Sequence, residues 1–224
     1  MGYREYRTPG LACSWTAALP PDAEPFVQRV LPDGCVDLIW TGGGILVAGP
    51  DTGPMPAVVR PGEELAAVRF APGAAPPVLG VPADALRDGR VPLRDLWGGE
   101  ADRLAEAVAA ASDRRAALVE ALRARMVPAD PLVAAMAGRL AEVSVREAAD
   151  ALGLGERQLR RRSLAAFGYG PKTLQRVLRF QRALGLARAG RPLAEVAFTA
   201  GYADQAHFAH EVRALAGEPV RTLL

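Results

Sequence analysis

One pattern occurs twice toward the C-terminus of this chain, and it constrains the fold more than any other feature. Ser144–Arg162 reads SVREAADALGLGERQLRRR, and Pro192–Val212 reads PLAEVAFTAGYADQAHFAHEV. Val145, Ala148, Ala149 and Leu152 fall at i, i+3, i+4 and i+7, and Leu193, Val196, Ala197 and Ala200 repeat that spacing 48 positions later. Such spacing makes one apolar stripe on a helix. In each copy an alanine (Ala149, Ala197) sits four residues before a glycine (Gly153, Gly201), and a second helical stretch follows. The alanine lets two helices cross closely, and glycine tolerates the positive φ of a tight turn. The pattern predicts helix, turn, helix, twice.

The second helix of each pair divides into two faces. Leu159 and Phe167 point inward on the first, and Phe208, Val212 and Leu215 on the second. Leu159 and Phe208 are 49 apart, so the second turn is one residue longer, and Asp204 is suited to cap the helix after it. The outward face of the first carries Glu156, Arg157, Arg160 and Arg161; that of the second carries Gln205, His207 and His210. In a helix-turn-helix the second helix enters the major groove. Arginine reaches guanine N7 and O6 or a phosphate, glutamine pairs with adenine, and histidine donates to bases or phosphates. The helix expected between the pairs, residues 171–189, spans about 28 Å. One turn of DNA is roughly 34–36 Å, so such a helix can hold two heads on one face of the duplex.

Charge follows this division. Residues 1–129 hold 13 arginines and 16 acids, net −3; residues 130–224 hold 14 lysines and arginines and 9 acids, net +5, which together make the chain's +2. The basic part is the one expected to seek a polyanion. Lys172 is the only lysine. Arginine suits bidentate contacts, although a codon bias toward arginine accounts for much of the preference. Cys13 and Cys35 stand far apart with no partner motif, which fits a reducing compartment. No signal peptide and no apolar run long enough for a membrane span are recognised. The expectation is a soluble, cytoplasmic protein.

Before residue 98 the apolar runs are short and separated by Gly/Pro turns. Candidate strands are Ala12–Thr16, Val27–Val30, Val36–Trp40, Gly44–Ala48, Val58–Val59 and Leu65–Phe70. Many short strands favour a small barrel or sandwich. Residues 72–96 read as irregular, with short helical pieces. Two Ala-rich helices, 101–111 and 114–126, follow, and Val127–Pro131 breaks the helical pattern. Seven helices are expected after it. The fold class is therefore α+β: an N-terminal β-barrel or sandwich-like regulatory part with helices (1–127), then an all-α DNA-binding part with two helix-turn-helix motifs (132–224). The Ala-rich helices are read as covering the barrel, with a share in dimerisation.

Residues 132–224 resemble the DNA-binding domain of the AraC/XylS family of bacterial transcription regulators. Val196–Gly217, VAFTAGYADQAHFAHEVRALAG, carries most of the likeness, helped by Pro219 and by the Gly170-Pro171 start of the connecting helix. PDGCVDLIW (32–40), AGP (48–50) and VRFAPG (68–73) resemble a small N-terminal domain of some members. The resemblance implies activation or repression of transcription under N-terminal control, and base contacts from Arg157, Arg160, Arg161, Gln205, His207 and His210. Two departures stand out. Ser163 occupies a position where an aromatic is usual, which implies looser packing of the first recognition helix. His210 and Val212 replace a commoner Arg and Phe.

The partners implied are double-stranded DNA and RNA polymerase, with a small-molecule effector of unspecified kind and a homodimer left open; no membrane, cofactor or resident metal is expected. Trp15, Asp33, Cys35, Asp37 and Trp40 are the candidate effector-pocket residues, although a turn, a strand edge and core packing explain them as well. Cys35 lies between two carboxylates, which disfavours the thiolate. Asp204, His207 and His210 have zinc-compatible spacing, but the DNA reading uses the same histidines. Both histidines sit in one recognition helix, so no Ser/His/Asp set forms and no enzyme is expected. The rival reading is a thiol sensor or small-molecule-binding protein whose N-terminal part carries the main activity.

Overall fold

The computed structural model describes residues 1–128 and 130–224; Ala129, within the expected break, lies outside the described residues. The strands are β1 (Gly2–Tyr6), β2 (Cys13–Ala18), β3 (Phe26–Val30), β4 (Val36–Trp40), β5 (Ile45–Ala48), β6 (Met55–Val59), β7 (Glu64–Phe70) and β8 (Arg90–Pro92). One antiparallel sheet has the order β1-β2-β7-β4-β5-β8, and β3 pairs with β6 in a separate sheet. The sheets do not close into a barrel. All six expected strands exist within a few residues of their expected bounds. The two unexpected ones, β1 and β8, are the edges of the main sheet. An edge strand needs no apolar run, and Pro92 is tolerated there because an edge has unpaired donors to spare.

Strand register sorts the side chains of the main sheet. Cys13 lies opposite Arg69 and Arg69 opposite Asp37; Trp15 lies opposite Ala67 and Ala67 opposite Ile39. Facing residues of antiparallel strands share a side, so these six occupy one face. Ser14, Val68 and Leu38 project from the other. That second face is covered by α1 (Pro76–Leu79), α2 (Arg94–Trp97), α3 (Gly99–Ala110) and α4 (Arg114–Arg123). Ala101, Val108, Leu118 and Leu122 pack there with Leu38, Val47, Val68 and Phe70, all buried. The apolar stripes of α3 and α4 are thus used on the sheet.

The C-terminal part holds α5 (Pro131–Glu142), α6 (Val145–Ala151), α7 (Glu156–Phe167), α8 (Pro171–Arg188), α9 (Leu193–Thr199), α10 (Gln205–Ala216) and a closing 3-10 turn (Val220–Leu223). Six α-helices and a turn stand where seven helices are expected. Two clusters form around one spine. Leu174 and Val177 of α8 pack with Met136, Leu140, Leu159 and Phe167, while Phe180 and Leu184 of α8 pack with Val196, Phe208, Val212 and Leu215. α8 therefore gives successive turns of its apolar stripe to the two helix pairs.

Candidate nucleic-acid interface

The two helix pairs share their turn chemistry. Ala149 and Ala197 are each 1% exposed, buried where the helices of each pair cross. Gly153 has φ 63° and Gly201 has φ 82°, a left-handed backbone that costs glycine nothing. The Leu154 amide donates to Ala149 O at 2.9 Å, and the Tyr202 amide donates to Ala197 O at 2.9 Å. α6 begins with a capping box between Ser144 and Glu147. Hydrogen bonds from Ser144 hold the Glu147 carboxyl below the usual carboxylate range. The Asp204 carboxylate accepts the His207 amide at 2.7 Å and starts α10.

α7 buries Leu159, Ser163 and Phe167. At about 100° per residue, Arg157 and Arg161 lie a turn apart on the opposite side. Arg160 stands to one flank, where it lines a cleft of about 300 Å3 with Val145, Glu156, Pro171 and Lys172. Arg157, Arg160, Arg161 and Arg162 are all exposed, and none makes an ion pair among the described residues. On α10, His210 is exposed opposite Phe208 and Val212, His207 is half-buried, and Gln205 is the exposed first residue. Under the 49-residue offset His210 corresponds to Arg161, while Ala206 and Ala209 stand where the first head has Arg157 and Arg160.

The heads are anchored differently. Ser163 is fully buried and its hydroxyl donates to Tyr169 O at 2.7 Å. The looser packing expected at Ser163 is therefore corrected: its partner is backbone, six residues on, brought back by the turn at Gly168. Tyr169 in turn donates from its hydroxyl to Asp51 O at 2.5 Å, and Arg87 donates to Gly168 O at 3.2 Å. Burial, then the charges of Asp33, Asp51 and Asp88, push the Tyr169 phenol well up, so it remains a donor. A Cβ at Gly168 would lie 2.6 Å from Pro50 Cγ. The first head is thus clamped to the N-terminal part. The second is held by α8, where Arg176 donates twice to Glu211 at 2.9 and 3.1 Å and Arg179 lies 4.5 Å over the Tyr202 ring, and it meets the N-terminal part through the Arg29–Glu218 ion pair and Leu31. Burial raises the Glu211 carboxyl, but the hydrogen bonds and charges of Arg176 and Arg179 outweigh it and hold it low.

The effector-pocket residues separate. Asp33, Cys35 and Asp37 gather around Arg69, which donates to both Asp37 oxygens at 2.8 Å and lies 3.6 Å from Asp33. Trp15 is on the same sheet face as Asp37, and its buried Nε1 has no partner among the described residues. Trp40 is on the other face, with Nε1 donating to Ala105 O at 3.3 Å. Burial first, then Asp33, pushes the Cys35 thiol well up; burial first, then Glu5, raises Cys13. Neither is a poised thiolate. Among the described residues no group of three His, Cys, Asp or Glu is placed to hold a metal. Arg69, Asp51 and Tyr169 were not singled out from sequence; only the register and the chain's return bring out their roles.

Two Gly-turned helix pairs are thus packed on one spine, and the second helix of the first pair carries exposed arginines with no ion-pair partner among the described residues. Residues 148–224 match a family model described as "Helix-turn-helix domain". Residues 8–92 match a model described as "Domain of unknown function (DUF6597)". No curated protein matches the chain. Among solved structures it is similar to ToxT from Vibrio cholerae. An apo variant of ToxT aligns at 9% identity and TM-score 0.49 over 98% of both chains. The unsaturated fatty acid-bound wild type aligns at 8% identity and TM-score 0.44 over 94% of this chain and 93% of that one.

Proposed function

We propose that this chain is a cytoplasmic, non-enzymatic transcription regulator that reads two successive major grooves, with residues 1–127 controlling the DNA-binding residues 132–224. The observation that carries this is the repeat itself: two recognition helices with the same turn chemistry, packed on the 18-residue α8, which is about 27 Å long. Arg157, Arg160 and Arg161 contact bases or phosphates in one groove, and Gln205, His207 and His210 in the next. Phosphate contacts dominate the affinity and make it salt-dependent. The clamp at Tyr169 gives the N-terminal part a direct hold on the first head, by which an effector changes DNA affinity. Trp15, Asp33, Cys35 and Asp37 are the effector-facing residues in this reading, without Trp40. RNA polymerase is the output partner, and a second copy of the chain binds through the N-terminal part. No described helix is long and apolar enough to cross a membrane.

Selection of binding sites from random DNA by the full chain tests this. A two-part consensus is expected; failure to enrich any sequence would overturn the reading. The rival thiol sensor draws no support from Cys13 and Cys35, both of which are held toward the protonated thiol.

A further inference from the structure

We infer that Gln158 and His207 are matched, donor-only contacts from the two heads to hydrogen-bond acceptors on DNA, an inference that rests on the DNA-binding function proposed above. Each is the third residue of its recognition helix. They are 49 apart, the same offset as Leu159 to Phe208 and the capping glycines Gly168 to Gly217. Their side chains differ, but both fold back on the helix start through an acceptor. The Gly155 amide donates to Gln158 Oε1 at 3.3 Å, and the Ala203 amide donates to His207 Nδ1 at 3.3 Å.

Those bonds decide what remains. An imidazole nitrogen that accepts an N–H bears the lone pair, so the ring hydrogen of His207 is on Nε2. With the amide oxygen of Gln158 turned to the helix start, the group it leaves wholly free is the Nε2 amide NH2, which only donates. Both positions therefore offer an Nε2–H, and among the described residues neither has a partner. The His207 ring is further held edge-on to Tyr202, with centroids 5.4 Å apart and planes at 83°. Residues at the N-terminal end of a recognition helix are those that meet base edges. A fixed donor there fits guanine N7 or O6, adenine N7, thymine O4 or a phosphate oxygen, and opposes the amino group of cytosine.

The test uses full-length protein titrated on the site selected by the wild type. Gln158→Glu and His207→Glu keep an acceptor for the helix start but replace the free donor with a carboxylate oxygen. Each is expected to weaken binding about tenfold or more, and to do so also at raised salt, where a distant charge effect is screened. His207→Gln restores the arrangement of the first head and is expected to bind within about twofold of wild type. Thermal melts of the free proteins confirm that each variant is folded. Reselection by the His207→Gln and wild-type proteins separates the two acceptor sources: altered preference at one base pair marks a base, and a loss uniform across sequences in the Glu variants marks a phosphate. Glu variants that bind like wild type, or His207→Gln as damaging as His207→Glu, would overturn the assignment. A wild type that selects no site defeats the DNA-binding reading instead.

Discussion

The two heads have one plan and differ in what anchors them. In the first, the recognition helix is tied through Ser163 to Tyr169, and through Tyr169 to Asp51 of the N-terminal part. In the second, Val212 fills the place of Ser163; Glu218, in the place of Tyr169, pairs with Arg29 of the N-terminal part at the surface, and the helix itself is held by Glu211 on Arg176 and Arg179 of α8. The first head also carries four exposed arginines where the second has two alanines, a histidine and Glu211. Arginine density and the buried bond to the N-terminal part thus coincide on one head. The other is held by the spine and by a surface ion pair to the N-terminal part.

The strongest way to break this comparison is to exchange the buried residues. Val212→Ser removes packing and buries a hydroxyl with no matching carbonyl, and is expected to cost roughly 2–5 kcal/mol in chemical denaturation. The reverse exchange, Ser163→Val, loses the bond to Tyr169 and adds a methyl group at a buried site, and is expected to cost roughly 1–3 kcal/mol. If Val212→Ser is the milder of the two, the second head has a polar partner after all. Tyr169→Phe is expected to cost about 1–2 kcal/mol and to speed amide exchange around Gly168 while leaving α10 unaffected.

Binding measurements sharpen the functional side. Arg161→Ala should lose about 1–3 kcal/mol of affinity at its cognate base. His210→Ala, at the corresponding place, should lose less, and equal losses would remove the asymmetry. The smallest effect is on acidity. The Glu211 carboxyl is depressed in the folded protein, so its contribution is complete above the ordinary carboxylate pKa of about 4.3. It is lost as pH falls through the lower folded value. Exchange rates in α10 should rise there, and Glu211→Gln should abolish that rise.

What was legible in the sequence was local. Ala149, Gly153, Ala197 and Gly201 announce their turns because a close crossing and a positive φ admit few other residues, and a second helix follows each turn as expected. Ser163 misled because its partner is a backbone carbonyl fixed by the turn at Gly168. Trp15 and Trp40 looked like one pocket, but register on β7 sends them to opposite faces. β1 and β8 were invisible because edge strands need no apolar alternation. The Tyr169–Asp51 bond spans 118 positions, a distance at which no periodicity speaks.

The central claim is that two heads on one rigid helix read neighbouring grooves. Footprinting of the full chain on its selected site tests it most directly. The account predicts two protected segments on one face of the duplex, roughly 10–10.5 base pairs apart between centres, with protection of only the first half-site lost in Arg161→Ala. A single protected segment, or two segments that weaken together in that variant, would contradict it.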